Sequence, residues 1–379
     1  MVELTVTNGH GAGNDYYTAG SKPPPWNDAG HTIPTGMSPT EAQAEYLNWR
    51  VHLKPVYQKV EGVYRKIDGY RSVTRSDTGD VLHMVSDRYS EFQNAELARI
   101  AEDIIGAGNA HVEVVGDLGG GRVVYMLVRT PDADYEIREG HQHKRYMWVG
   151  SSHDGSLPTT ILQTDFKVTC ANMFASMFRA ANSTIKVKHT RNNQQRLNNA
   201  VRALRASMTY SERLQHVFRA MEETPYSRQQ MNALALRIVG GQGWRKMMEA
   251  MGTNEATADA PPIDLQNQTG AQILAGMLEK DKHQNVVVPD DYLSKQAQRN
   301  IATLDMLFRN PEQGNRGQTA YDAINAVTDY CTNERTTKNT NRNSAAENNL
   351  ASNLYGGSAN LGRRALNLIL ADTGLVDRL

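Results

Sequence analysis

Short runs of alternating apolar and polar residues dominate the chain from Trp49 to Thr169, and helical spacing dominates the stretch after it. Ahead of both, Ser38 precedes Pro39 with Glu41 in the following turn, which predicts a capped helix start. Tyr70–Arg75 and Val81–Ser86 read as strands around the loop Ser76–Asp80, whose Gly79 suits a hairpin. Leu97, Ile100, Ile104 and Ile105 predict a helix over Asn94–Gly106. Val112–Val115, Arg122–Arg129, Tyr146–Gly150 and Thr159–Thr169 predict a second antiparallel block. A helix over Cys170–Ala181 follows. A longer one spans Gln194–Glu223, with Leu197, Val201, Leu204 and Met208 as its core stripe. The expected fold class is α+β: an antiparallel sheet with hairpins in residues 49–169, packed with long helices, and a mostly helical C-terminal half.

Residues 7–38 are rich in Gly, Pro, Asn and Asp and follow neither period, so they read as an irregular arm seated through Trp26. The expected division is an arm over 1–38, an α+β core over 39–225 and a helical region over 226–379. Pro261-Pro262 marks a linker, and the Asn/Thr tract Thr332–Asn349 reads as mobile.

Composition narrows the class. Only Cys170 and Cys331 occur in 379 residues, too few for a disulfide framework, which points to a reducing cytoplasm. Met1–Val6 leads into no signal-like apolar core, and no run of about 18 apolar residues offers a membrane span. Forty-one basic residues balance 41 acidic ones. The balance is uneven along the chain. Between Asp165 and Glu212 there is no acid, yet Lys167, Arg179, Lys186, Lys188, Arg191, Arg196, Arg202 and Arg205 all fall there. Cations gathered without acids favour a polyanion.

Ile185–Arg196 is the densest part of that segment. Lys186 and Lys188 share an edge if extended, and His189, Arg191, Asn192 and Arg196 add long donors suited to phosphate oxygens. Tyr146 and Trp148 in the preceding strands are candidate platforms for unpaired bases, with core packing as the alternative.

Other motifs say less. Gly116–Gly121 lacks the ending of a phosphate loop and reads as a hairpin turn. His141 and His143 share one side of a strand but lack the companions of a zinc site, so they read as surface histidines at a loop. Ser152-His153-Asp154-Gly155 places three triad residue types side by side. Adjacent residues cannot form the sequential hydrogen bonds of a triad, so Asp-Gly reads as a tight turn.

Several phrases resemble a domain-of-unknown-function family, the phage/plasmid-like proteins (the 932 family). They are Val85-Ser86-Asp87-Arg88-Tyr89, Gln93-Asn94-Ala95-Glu96, Ser152-His153-Asp154-Gly155, Cys170-Ala171-Asn172, His189, Thr319-Ala320-Tyr321 and Asn325 through Tyr330. They appear in the family's order over roughly residues 23–372. Around Trp26 the chain departs, with Trp26-Asn27-Asp28 where the family has a Trp-His-Gly phrase. The resemblance implies phage or plasmid origin and an intracellular product. It marks Asp87, Arg88, Tyr89, Asn94, His153, Asp154, Asn172, Asn325 and Tyr330 as motif residues without a role. The order helix, three-strand meander, long helix over about 94–181 is also similar to that of single-strand annealing proteins of the RecT and Redβ kind.

The function these readings favour is nucleic-acid binding, with single-stranded DNA preferred, in recombination or replication. It needs no catalysis, cofactor, metal or membrane, and fits a homo-oligomer. Two other classes stay open: a mobile-element protein acting on protein partners, and an enzyme built around His153, Asp154 and Cys170.

Overall fold

The alternation between residues 49 and 169 builds two antiparallel sheets, and the helical spacing after it builds a bundle packed against the larger one. The structure, a computed structural model, describes residues 26–34, 36–106, 109–167, 172–175, 184–186, 193–241, 279–280, 286–287, 293–335 and 337–378. The class is α+β, with most of the described C-terminal half helical.

The first sheet is small. Strand β2 (Val51–Val60) turns through Glu61-Gly62 into β3 (Val63–Arg75), which pairs with β4 (Val81–Ser86). Glu61 and Gly62 both have positive φ, 50° and 85°, as a two-residue hairpin turn following the strand twist requires. Strand β4 reaches only Tyr70–Thr74 of β3, so β2 and β3 continue beyond it as a two-stranded ribbon.

The larger sheet runs β1 (His31–Thr32), β5 (His111–Leu118), β6 (Val123–Arg129), β8 (Gln142–Ser152), β9 (Thr160–Lys167) and β10 (Asn172–Ala175). β7 (Tyr135–Glu136) also pairs with β8, and β11 (Thr184–Lys186) with β9. Every residue of β6 and β9 is buried, because both faces of this sheet are covered. Met147 and Val149 face helix α2 (Asn94–Gly106) and its Leu97, Ala101 and Ile104. Tyr146 and Trp148 face the opposite layer, with Tyr125, Phe166 and Leu350.

Trp26 does find a pocket: its ring lies 5.3 Å from that of Tyr146 and 4.8 Å from that of Phe166. Backbone meets backbone just after it. A Cβ on Gly116 would stand 2.9 Å from the Cα of Gly30, so both glycines are needed for that approach. Gly116 thus belongs to β5, and only Gly119–Gly121 make the turn.

The helical half has its own core. Helices α3 (Asn193–Glu222), α4 (Arg228–Val239), α5 (Lys295–Phe308), α6 (Ala320–Asp329) and α8 (Gly357–Asp372) join there through residues such as Phe218, Leu234, Leu304, Ile324 and Leu366. Among the described residues no helix is long and apolar enough to cross a membrane.

Two expectations fail here. Asn172–Ala175 is a strand, not part of a helix, because the open edge of β9 supplies its hydrogen bonds and Met173 packs beside Phe166. The Asn/Thr tract is built into the fold. Tyr330–Glu334 forms a π-helical turn whose carbonyls are taken by side chains, Asn349 donating to Thr332 O at 2.8 Å and Asn353 to Cys331 O at 3.4 Å. Ser344 then caps helix α7 (Ala345–Leu354). Trp26→Ala should cost about 3–5 kcal/mol of unfolding free energy, measured in urea, as truncation of a buried Trp generally does.

Candidate nucleic-acid interface

The acid-free segment is not one surface. Lys167 is fully buried on β9, with its Nζ 5.8 Å from the ring centre of Tyr321, so it is unavailable to a phosphate. Tyr146 and Trp148 are buried as well, and this corrects their reading as base platforms: their rings fill the layer around Trp26, leaving no face for a base. Arg202 and Arg205 are exposed on α3. The backbone of Lys186 pairs with Thr160 in β11, and that of Asn172 with Lys167. The side chains of Asn172, Lys186 and Arg196 lie outside the described residues, as do Cys170, Arg179, Lys188, His189, Arg191 and Asn192 altogether.

Instead, Lys167 belongs to a buried ionic centre. The register sets His143 opposite Lys167 and Arg145 opposite Asp165 on one face of the sheet. Arg145 meets Asp165 at 2.8 Å with both side chains wholly buried, and Tyr135 donates to the same carboxylate. The Arg145 guanidinium also lies over the rings of Tyr135 and Tyr210. A ring nitrogen of His143 is 2.7 Å from the Tyr321 hydroxyl on α6. Beside it, Arg138 holds Glu222 of α3 at 2.9 Å and Asp322 of α6 at 2.6 Å. The sheet and the helices are thus tied by charge.

His141 and His143 are buried here, not surface residues at a loop. Burial, with Lys167 and Arg138 nearby, lowers His141 to about 2; burial, with Lys167, holds His143 well below the usual histidine value. Both are neutral. Among the described residues no group of three His, Cys, Asp or Glu could hold a metal.

A second knot joins two motif phrases. Asn94 donates through Nδ2 to Leu47 O at 3.1 Å and Trp49 O at 3.0 Å, so its Oδ1 accepts from Nε2 of His153 at 2.9 Å. Burial lowers His153 to about 4. Ser152 donates to Leu157 O and Asp154 accepts from the Ser156 amide, so the three do not form a triad. Gly155, at φ 75°, turns the chain between β8 and β9. Asp87 and Arg88 are exposed where β4 ends, the Asp87 amide bonded to Gly69 O; Tyr89 is half-buried. Asn325 and Tyr330 are buried in the α6 region. In the glycine turn, the Gly119 amide donates to Glu347 Oε1 at 2.8 Å, so the anion it holds is the chain's own.

The exposed cations that the structure does gather are on the ribbon. Lys59, Arg65 and Lys66 are exposed there and Lys54 and Arg71 at its three-stranded base, against Glu61 and Asp68 as the acids of Val51–Arg75. Lys66 and Asp68 lie 3.6 Å apart but both are open to water, where such a pair is weak. Six of the nine exposed large apolar or aromatic side chains of the described residues lie on this small sheet: Tyr57, Val63, Tyr64, Tyr70, Val81 and Met84. The signal was present in the sequence. Tyr57-Gln58-Lys59 and Tyr64-Arg65-Lys66 flank Glu61-Gly62, a strand pattern with no apolar face to bury.

Residues 81–257 match the family model described as a domain of unknown function, DUF932. No curated protein and no solved structure matches the chain. Asn94, His153 and the Arg145–Asp165 pair fall inside the DUF932 segment, whereas the ribbon precedes it and Tyr321 follows it.

Arg145→Met should cost about 3–5 kcal/mol by stranding Asp165, and Arg145→Met with Asp165→Leu should recover much of that in urea denaturation. Asn94→Ala should cost about 1–3 kcal/mol by leaving Trp49 O and His153 without their partner. Histidines harder to protonate folded than unfolded take up protons on unfolding. Their stabilisation is whole above pH 6.5 and is lost as pH falls, His153 completing its share near pH 4. Melting temperature should therefore fall from pH 7.5 to pH 5, less steeply in His153→Gln.

Proposed function

We propose that this chain binds nucleic acid, with single-stranded DNA preferred, as a phage or plasmid protein of the host cytoplasm acting in recombination or replication. The observation that supports this most is the ribbon. Three exposed cations, Lys59, Arg65 and Lys66, and two exposed tyrosines, Tyr57 and Tyr64, share its two strands, with Lys54, Arg71 and Tyr70 exposed at its base. Lys and Arg at such density gain affinity for phosphates by releasing counterions, without reading sequence. Arg202 and Arg205 on α3 and the cations of Lys186–Arg196 would lengthen the track. Annealing asks only that strands be presented with their bases free, so no reacting group is required, and several copies side by side would extend one track.

Fluorescence anisotropy with a labelled strand of about 40 nucleotides tests this. The expected result is binding whose log–log dependence on salt has a slope of about −0.7 per neutralised phosphate. Lys59→Glu with Lys66→Glu should flatten that slope and weaken binding without lowering the melting temperature. No binding at low salt by a folded sample contradicts the proposal.

A further inference from the structure

We propose that Tyr57 and Tyr64, on one face of the ribbon tip, stack on unpaired bases while Lys59 and Lys66 beside them hold the flanking phosphates. This rests on the nucleic-acid reading and assigns its substrate class: a single strand with accessible base faces.

The register carries the argument. Tyr57 lies opposite Lys66, and Lys59 opposite Tyr64, with the Gln58–Arg65 pair between them. Directly opposed residues share a face and successive pairs alternate, so both tyrosines and both lysines are on the same side. The Lys59 ammonium, 5.8 Å from the Tyr64 ring centre, agrees. Tyr57 and Tyr64 are 54% and 70% exposed. They stand on the diagonal of the ladder, where side chains are about 7–8 Å apart. That is about twice the 3.4 Å rise of stacked bases, room for one planar ring between two others.

Magnitudes favour exchange. The exposed Lys59–Tyr64 contact is weaker than the stacking of a base on an aromatic ring. A base can therefore displace the lysine, which stays close enough to meet a phosphate. Among the described residues, neither ring joins a core cluster. A two-stranded ribbon is marginal alone, and leaving it uncovered with two open tyrosines adds nothing to the core. Net positive charge selects a polyanion over an apolar partner as the occupant. Duplex bases are already stacked and present only their edges, so a stacking face discriminates against them.

The test uses the full chain and three probes: oligothymidine, an abasic strand of the same length, and a duplex. Wild type should bind oligothymidine most tightly. Tyr57→Ala with Tyr64→Ala should weaken oligothymidine binding at least about 10-fold while changing abasic-strand binding less than about twofold. Tyr57→Phe with Tyr64→Phe should restore it, and all variants should melt like wild type because the rings are exposed. Unchanged oligothymidine binding in the alanine pair overturns the inference, as does equal loss on the two strands. Loss of self-association by sedimentation, with affinity intact, overturns it in favour of contact between copies. If wild type binds none of the probes, the nucleic-acid reading fails instead.

Discussion

The ion pair between Arg145 and Asp165 constrains the rest of this structure. Two charges wholly removed from water are destabilising unless each is met, and here each is: Arg145 by carboxylate and two rings, Asp165 by guanidinium and the Tyr135 hydroxyl. The same strand pair brings His143 and Lys167 onto that face, and Tyr321 can cover them only if α6 is correctly seated. Arg138 extends the tie to α3. A sheet and bundle joined this way have little freedom to slide, since any shift strands a charge.

Three residues of the phrases that carry the DUF932 resemblance, Asn94, His153 and Tyr321, serve as such pins. Asn94 and His153 close one knot between the helix start and the β8–β9 turn, and Tyr321 closes the ionic centre. Their roles are structural in geometry: the Asn94 amide ties the backbone carbonyls of Leu47 and Trp49 to the His153 ring. Motif residues of this kind hold a scaffold in place, while other parts of the chain, Asp87 and Arg88 of the same phrases included, face solvent. The ribbon is one such part.

Much of the fold was legible where the determinants are local. Asn94–Gly106 and the strands around Ser76–Asp80 match because period and turn chemistry are set within a few residues. Asn172–Ala175 was not, since its strand state depends on an edge over which the chain folds back. Lys167 illustrates the limit most clearly: its charge reads as surface, yet a neighbouring strand and a helix some 150 residues later enclose it. Tyr146 and Trp148 were open to two readings, and burial on both sheet faces decided for core. The ribbon could have been found, because polar residues on both sides of an alternating pattern already say that neither face meets a core.

On the proposed reading, the contact surface is the ribbon, outside the buried sheet that holds Lys167, Tyr146 and Trp148. Photo-cross-linking of a 4-thiothymidine strand to the full chain, with peptides mapped by mass spectrometry, reads that placement directly. Adducts concentrated in residues 54–71, Tyr57 and Tyr64 among them, are the predicted result. Adducts confined to residues 186–205, with the ribbon unmodified, would contradict it.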